Sequence, residues 1–264
     1  MSNLVSKNYT LGRGRLYFAL FKPNTRVPMG ERYLGNSPEV SFTSESQKLE
    51  HFDSDKGVRL KDASVLLQMD YSGKFSLDDI QYENLAMLFL GEMKTTTATA
   101  QTIAAESHLA VQKGYSYQLG QSTSNPVGNR NVKTVVVKDD KSTPTTYVAG
   151  TDYVVDDVLG RITILVGGTI ANGTNLLIAY ATNPYTLDGM ISKGESVKGQ
   201  LRFIADNPTG ANIDYLLPYV EISPDGDYQL KGDSWQTMNF TMSILKNGDL
   251  EAVYANGRPY SAAP

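Results

Sequence analysis

The chain has 264 residues, with 24 Lys and Arg against 28 Asp and Glu, a formal net charge of −4, two His and no Cys. This balance excludes the strongly basic surface of a general nucleic-acid-binding protein, and the lack of Cys excludes disulfides and thiolate chemistry. No apolar run approaches the roughly 20 residues that span a bilayer. The N-terminal ten residues lack the apolar core of a signal peptide, so we expect synthesis in the cytoplasm and no membrane partner.

The first elements in chain order are short strands. Residues 15–21, RLYFALF, predict a strand buried on both faces, and Tyr33–Leu34 and Glu39–Thr43 predict two more. The following stretch, Ser44–Asp62, carries charges of both signs and shows neither helical nor strand periodicity. Such a long patternless connection predicts a functional or disordered loop.

The most regular pattern in the chain lies between Val65 and Leu77. Its odd positions are apolar or glycine and its even positions are mostly polar, and the alternation continues through Gly73 without a break in register. The pattern predicts one uninterrupted strand of about thirteen residues, roughly 43 Å long. A strand of that length is typical of the wall of a barrel or tube.

A short amphipathic helix is predicted directly after this strand. Asp78 and Gln81 have the spacing of a capping box, apolar residues recur as far as Phe89, and Gly91 supplies a stop signal.

A change of composition predicts an inserted domain. Lys94–Glu106 is rich in Thr and Ala and is interpreted as a linker. Six short β-rich segments with closely spaced turn signals follow, which predicts a small β-sandwich. The segments are Tyr115–Leu119, Val132–Lys138, Thr146–Val148, Tyr153–Val155, Arg161–Leu165 and Asn175–Ala181. We therefore predict an inserted β-domain at 107–183 and a discontinuous domain formed by 1–106 and 184–264.

The last part of the chain returns to long alternating strands. Val197–Ala205, Tyr215–Ile222 and Gln236–Ile244 are predicted strands, and Pro218 implies an edge or a bulge within the second of them. The predicted fold class is mainly β, with one flanking α-helix and an inserted small β-domain.

No catalytic or metal-binding motif emerges. The sequence has no GxSxG, HExxH or Walker pattern, and the start of a calcium loop at Asp53 fails because Gly57 occupies a ligand position and Val58 the glycine position. His51 and His108 are interpreted as surface residues. We therefore predict no catalytic residue, no metal and no cofactor.

Aromatic residues favour a protein interface. The chain has 16 Tyr and a single Trp, Trp235. These side chains suit interfaces, where the ring is buried and the polar group stays wet, and they also suit platforms for stacking sugars or bases. The first interpretation is preferred and the second is kept as an alternative.

Five stretches of the regions that flank the predicted insert carry a resemblance to a known family. They are LGRGRLYF, RYLGNSPEVSFT, LEHFDSDKGVRLKD, FSLDDIQYENLAMLFLG and LRFIADNPTGANIDYLLPYVEISPDGDYQLKGDSWQTMNFTM. Together they resemble the major tail tube proteins of long-tailed bacteriophages with flexible, non-contractile tails (the siphovirus type). The resemblance covers about two thirds of the chain. Within the insert, YVAGTDYVVDDVLGRITIL resembles the immunoglobulin-like or decoration modules of such tail proteins.

The resemblance implies a structural virion protein. In this family a β-sandwich with one flanking helix closes into hexameric rings, the strands line a continuous inner barrel, and the stacked rings conduct DNA during ejection into the host. The implied partners are further copies of the chain, the tail tip, tape measure and tail terminator proteins, and DNA that passes without specific binding. The implied location is the virion, after assembly in the host cytoplasm, and the insert would face outward.

The resemblance also assigns roles to particular residues. The lumen-facing residues would be Asp70, Ser72, Lys74 and Ser76. The inter-ring loop would contribute Glu45, Lys48, Glu50, Asp53, Asp55, Lys56 and Arg59. Family lumens tend to be acidic, whereas the candidate wall positions of this chain also include Lys74, Lys198 and Arg202. Either some of these cations pair with carboxylates across strands, or other residues set the electrostatic potential of the lumen.

Three alternatives remain open at this point. The main one is a surface adhesin or carbohydrate-binding protein of two β-domains, with exposed aromatic residues clustered around Trp235. An enzyme ranks lower because no catalytic constellation is found. A protein of the tail tip or tail completion ring is a close structural variant of the tail tube hypothesis.

Overall fold

The computed structural model describes residues 9–55 and 57–258. The fold is mainly β, with one α-helix among the described residues. The elements in chain order are β1 (Gly14–Leu20), β2 (Arg32–Tyr33), β3 (Val40–Asp53), β4 (Leu60–Leu77), α1 (Tyr82–Leu88), β5 (Gly91–Ala98), β6 (Gln101–Val111), β7 (Ser116–Gln118), β8 (Val132–Asp139), β9 (Tyr153–Asp156), β10 (Arg161–Ile164), β11 (Thr174–Thr182), β12 (Tyr185–Ser192), β13 (Val197–Ala205), β14 (Ile213–Pro224), β15 (Met238–Ile244) and β16 (Tyr254–Gly257). The chain forms two compact units, residues 1–94 with 189–264, and residues 95–188.

The first unit is built on one antiparallel sheet with the strand order β2-β1-β13-β14-β15-β4-β3. Strand β14 pairs with β13 along one edge, and its other edge is shared by β15 and β16. Pro218 lies between these two pairing segments, where the register of β13 and β14 also shifts. Because proline has no N–H to donate to a ladder, the irregularity expected at Pro218 is confirmed.

The core of the first unit lies on one face of this sheet. Phe75 of β4 and Phe240 of β15 are directly opposite each other and stack with ring centroids 4.8 Å apart. Helix α1 adds the buried side chains of Met87 and Leu88 to the same cluster. The C-terminal half of β4 is therefore held by apolar packing as well as by pairing with two neighbouring strands.

The predicted loop at Ser44–Asp62 is wrong. These residues form most of β3 and the start of β4, which pair with each other as a long antiparallel hairpin from Val40 and Phe75 to Asp53 and Leu60. Hydrophobic periodicity did not reveal these strands because neither face of β3 is buried beyond Val40. Its side chains therefore need not alternate between apolar and polar.

The predicted unbroken register of Val65–Leu77 is also wrong. The strand begins earlier, at Leu60, and its pairing with β3 shifts between Gln47 and Lys48, which leaves Leu67 as an extra residue in β4. A bulge reverses which way the residues beyond it face. Val65, which lies opposite Leu49, consequently shares a face with Asp70 rather than with Phe75.

The predicted capping box at the start of the helix is wrong as well. Helix α1 begins at Tyr82 after Gln81, and no side chain caps it. The carboxylate of Asp78 instead accepts two hydrogen bonds from Asn36 Nδ2, at 2.9 and 2.8 Å. At the other end, the left-handed conformation belongs to Leu90, with φ of 48°, and not to the expected Gly91.

The Thr- and Ala-rich segment is not a linker. It forms the end of β5 and the first half of β6, which pair with β12 and β11 respectively. Low sequence complexity was a poor guide because Thr favours strands.

The second unit has a core of its own. It contains two three-stranded antiparallel sheets, with the orders β7-β10-β9 and β6-β11-β8. Both sheets contribute buried side chains to one cluster, for example Ile162 and Ile164 from the first and Leu176 and Ile178 from the second. A separate core is the expected property of an independent domain.

A polar network in the second unit centres on Glu106. Its carboxylate accepts hydrogen bonds from the amide of Gly120 at 2.9 Å and the hydroxyl of Tyr180 at 2.6 Å, and lies 2.9 Å from His108 Nε2. Burial raises the pKa of Glu106, but the hydrogen bonds from His108, Tyr180 and Gly120 outweigh it and hold the pKa below its ordinary value of 4.5.

We predict that Gly73→Ala destabilises the first unit. A Cβ at this position would lie 2.6 Å from the carbonyl oxygen of Ser41 and 2.5 Å from Met242 Cε. Because the first contact is with backbone, strands β3 and β4 must move apart, at a cost of about 1–3 kcal/mol. Urea unfolding measures the change, and Gly189→Ala, whose Cβ would have its nearest neighbour at 3.9 Å, is the control. Equal stability of the two variants would contradict the packing described.

We also predict a pH-dependent contribution of Glu106. Since its folded pKa lies below the unfolded value, the ionised carboxylate stabilises the fold above about pH 4.5, and this stabilisation is lost as the pH falls through the folded pKa. Glu106→Gln should therefore lower the urea midpoint at pH 7, and the deficit should shrink below pH 4.5. Glu195→Gln, which removes an exposed carboxylate outside this network, is the control.

Candidate assembly surface

The outer part of the β3–β4 hairpin is a two-stranded ribbon. Strand β15 pairs with β4 only from Tyr71 to Leu77, so within residues 9–55 and 57–258 no third strand lies beside residues 45–53 and 60–70. We call these two segments and the turn between them the β3–β4 ribbon. At about 3.4 Å per residue, it extends roughly 30 Å beyond the sheet.

The β3–β4 ribbon exposes many apolar side chains. The exposed fractions are 62% for Leu49, 63% for Leu60, 58% for Val65, 53% for Leu66, 63% for Leu67 and 41% for Met69. A two-stranded hairpin is at best marginally stable in water, and clustered exposed apolar residues are typical of interaction sites. The ribbon therefore has the composition of a surface that is covered in the functional state.

The ribbon also has open hydrogen-bonding edges. Strand β3 is the last strand of the sheet, and within the described residues nothing pairs with its outer edge. The other end of the sheet is the two-residue strand β2. Long uncovered edges pair readily with another chain unless the fold blocks them, so β3 offers a second means of association.

All the described residues of the predicted inter-ring set lie on this ribbon or its turn, and all are exposed. They are Glu45, Lys48, Glu50, Asp53, Asp55 and Arg59; Lys56 lies outside the described residues. Several have contacts within the ribbon. Lys61 Nζ binds Glu50, the amide of Asp55 donates to Asp53 at 2.9 Å, and Arg59 lies 5.5 Å from the ring centroid of Phe52.

The predicted lumen residues share one face of the hairpin. Ser72, Lys74 and Ser76 lie opposite Ser243, Thr241 and Asn239 of β15, which continues this polar face across the sheet. Asp70 lies on the same face one step further out, on the β3–β4 ribbon, directly opposite Glu45. Two carboxylates in one cross-strand pair repel each other, so the face becomes acidic where the ribbon begins.

Three cations of the polar face are paired with carboxylates. Lys74 Nζ lies 2.7 Å from Asp225 Oδ2, and Arg202 Nε lies 2.7 Å from Glu31 Oε1. Lys198 lies 3.6 Å from Glu221, its cross-strand neighbour. Pairing of some of these cations is therefore found, across strands for Lys198, while the lumen role of this face stays a prediction. The lysine of the first pair is 63% exposed, so the pairs neutralise charge more than they stabilise the fold.

Sequence reasoning missed these anionic partners. Asp225 lies 151 positions away from Lys74 in the chain. No local sequence pattern could have shown that Asp225 and Lys74 form an ion pair. The extra residue Leu67 was missed for a similar reason, because a bulge is defined by its partner strand.

The aromatic cluster expected by the adhesin hypothesis is not centred on Trp235. This side chain is 93% exposed, and no ring pair among the described residues includes it. The nearby Tyr228 instead packs edge-on against Phe89, with centroids 6.3 Å apart.

Two features are absent from the described residues. Among residues 9–55 and 57–258, no three or more His, Asp or Glu side chains lie close enough together to hold a metal ion. Over the same residues, no helix has the length and apolar character needed to cross a membrane.

The chain is a two-unit, mainly β protein, and its exposed β3–β4 ribbon is a candidate association surface. The chain belongs to the family described as Protein of unknown function UCP028589, whose model matches residues 9–255. No curated protein sequence matches it.

We predict that the β3–β4 ribbon opens far more readily than the rest of the sheet. In a dilute sample, amides of Glu45–Phe52 should exchange with deuterium faster than those of Phe75–Leu77, because only the latter lie over a buried core. Hydrogen-exchange mass spectrometry measures both segments in one sample. Equal protection would show that the ribbon is stabilised within the single chain.

Proposed function

We propose that this protein is a structural virion subunit that forms the tail tube of a long-tailed, non-contractile bacteriophage. The observation that carries the proposal is the β3–β4 ribbon, which is exposed and apolar and has open edges. Such a surface promotes unwanted aggregation in a protein that remains a monomer, whereas it provides a contact between subunits in a protein that polymerises. The resemblance of the sequence to tail tube proteins indicates that the polymer is a tail tube.

The sheet supports ring formation through its unequal ends. The long edge of β3 lies at one end of the strand order and the short β2 at the other, so a contact between the two ends would join different surfaces of neighbouring copies. Contacts of this heterologous type close into rings when the rotation between copies permits. In the proposed assembly six copies close the ring, and the sheets form a continuous barrel without edges.

The polar face of the sheet suits the lumen of such a tube. It is lined by hydroxyl and amide side chains, and its Lys74, Lys198 and Arg202 are paired with carboxylates. Paired cations offer little attraction to phosphate, which favours passage of DNA without specific binding. Asp70 and Glu45 add negative charge to the same face.

The second unit would be an immunoglobulin-like or decoration module on the outside of the tube. Its separate core allows it to be carried without a role in the barrel. The first unit would be the tail tube domain proper, with contacts to tail tip, tape measure and tail terminator proteins at the ends of the polymer.

A carbohydrate-binding adhesin is a second candidate, favoured by the exposure of Trp235 at 93%. Trp235 is the single tryptophan of the chain, so its fluorescence reports directly on a ligand at this position. Saturable quenching by a glycan panel, together with an absence of polymers, would favour the adhesin over the tail tube.

Electron microscopy and sedimentation across a concentration series test the proposed function. We expect long hollow tubes with a regular axial repeat. If the chain alone does not polymerise, the same measurement is made after adding preformed tail tip complexes as initiators. A chain that stays monomeric under both conditions would contradict the proposal.

We predict that shortening the ribbon abolishes polymerisation without unfolding the subunit. Because Ser46 and Met69 lie directly opposite each other, replacing residues 47–68 with Asn-Gly should close a tight hairpin. Circular dichroism and urea unfolding check the fold, and electron microscopy checks for tubes. The control is Leu230→Thr, which removes an apolar side chain that is 77% exposed outside the ribbon. Normal tubes from the shortened variant would remove the ribbon from the assembly surface.

A further inference from the structure

The second unit contains an open polar cleft along one side of its sandwich. The cleft has a volume of about 520 Å³ and lies between β6, an edge strand of one sheet, and β7, an edge strand of the other. This volume falls within the roughly 300–1,000 Å³ of sites that bind small molecules. We call it the Glu106 cleft, and its lining includes Glu106, His108, Ser116, Tyr117, Gln118 and Gln121.

Two ionisable side chains of the cleft occupy positions that face the interior of the sandwich. In the β6–β11 ladder, Glu106 lies directly opposite Ile178, and His108 lies directly opposite Leu176. Directly opposite residues of an antiparallel pair share a face, and Ile178 and Leu176 are fully buried in the apolar core. Removing a carboxylate and an imidazole from water carries a desolvation cost that apolar residues at these positions would avoid. Strand β6 therefore departs from the apolar pattern that packing alone favours.

Both side chains are held in place and still reach the water of the cleft. Glu106 accepts hydrogen bonds from the Gly120 amide and the Tyr180 hydroxyl, and it lies 2.9 Å from His108 Nε2. The imidazole of His108 packs edge-on against Tyr117, with ring centroids 5.9 Å apart. The side chains of His108 and Glu106 remain 14% and 19% exposed. Because a carboxylate has about four lone-pair positions, Glu106 can accept a further hydrogen bond from a ligand.

The chemistry of the lining distinguishes between classes of ligand. The Glu106 carboxylate repels anions, and the described residues that line the cleft include no Lys or Arg to bind a phosphate or a carboxylate. In the described part of the chain, no third His, Asp or Glu joins Glu106 and His108 to hold a metal ion. The hydroxyl of Ser116 and the amide of Gln121 add groups that both donate and accept hydrogen bonds. This set matches an uncharged ligand that carries several hydroxyl groups.

We propose that the Glu106 cleft of the second unit binds a neutral saccharide. The Glu106 carboxylate accepts a hydrogen bond from one sugar hydroxyl, and Ser116 and Gln121 bind others. The ring of Tyr117 packs against the carbon-bound hydrogens of the sugar. The site differs from the platform considered at Trp235, which belongs to the first unit, and it does not depend on whether the chain forms a tube.

Saturation-transfer difference NMR with the full chain tests the proposal, because it observes the sugar and is suited to subunits and polymers alike. The panel contains glucose, galactose, mannose, rhamnose and N-acetylglucosamine, and maltotriose represents a polysaccharide chain. We expect saturation transfer to at least one neutral sugar. Tighter binding of maltotriose than of glucose would identify a polysaccharide as the source of the ligand, whereas equal binding would identify free sugar.

Glucuronate is the chemical control, since it has the shape of glucose with an added carboxylate. It should receive several-fold less saturation than the neutral sugars, because Glu106 repels it. Absence of transfer to every neutral sugar would overturn the proposal. Transfer to glucuronate equal to that of the neutral sugars would overturn it as well.

Variants locate the bound sugar. Tyr117→Ala removes the aromatic ring and should weaken the affinity by about tenfold. Gln121→Ala, which removes an exposed amide, should weaken it several-fold and keeps the test decisive if Tyr117→Ala does not fold. Tyr115→Ala is the matched control and should leave the affinity unchanged, because Tyr115 is 64% exposed outside the cleft. Circular dichroism and urea unfolding show whether each variant is folded.

Trp235→Ala separates the Glu106 cleft from the alternative platform at Trp235. Unchanged saturation transfer in this variant supports the cleft. Loss of transfer in Trp235→Ala together with its retention in Tyr117→Ala would overturn the cleft and favour the adhesin. The presence or absence of tubes in the same samples, seen by electron microscopy, bears on the proposed function alone.

Discussion

The structure depends on the β3–β4 strand pair, which extends well beyond the apolar core that its inner end helps to form. Strand β4 has buried side chains only in its last third, while in the described part of the chain its segment Leu60–Asp70 pairs with β3 alone. Backbone hydrogen bonds hold this outer segment together, yet they leave its edges open and its leucines in water. Burial of apolar surface is the dominant favourable contribution to protein association, so this segment gives the chain a strong reason to associate.

The rest of the first unit is arranged around that strand. Phe75 and Phe240 anchor its inner end, while the polar face on the opposite side of the same strands carries hydroxyl groups and neutralised cations. One side of the sheet is therefore a conventional core, and the other is a polar surface on which Lys74, Lys198 and Arg202 are paired with carboxylates. The combination fits a wall between a packed exterior and an open channel, and it motivates the tail tube proposal.

The second unit has stabilising contacts of its own. It has two sheets, its own apolar cluster and a polar network in which Glu106 is satisfied by neighbours from the same unit. Stability in this unit comes from local burial and hydrogen bonding. Its residues form a separate module and contribute none of the residues of the β3–β4 ribbon.

The sequence by itself determined the strand-rich fold class, the position of the single described helix, the irregularity at Pro218 and the polar face from Asp70 to Ser76, because each depends on neighbours in the chain. Only the tertiary structure decided that Ser44–Asp62 forms a hairpin and that Leu67 interrupts the register. It also decided that Asp225 pairs with Lys74, and that Asp78 accepts hydrogen bonds from Asn36 instead of capping the helix. These features depend on partners that are distant in sequence, and a pattern read along one strand contains no information about the strand beside it.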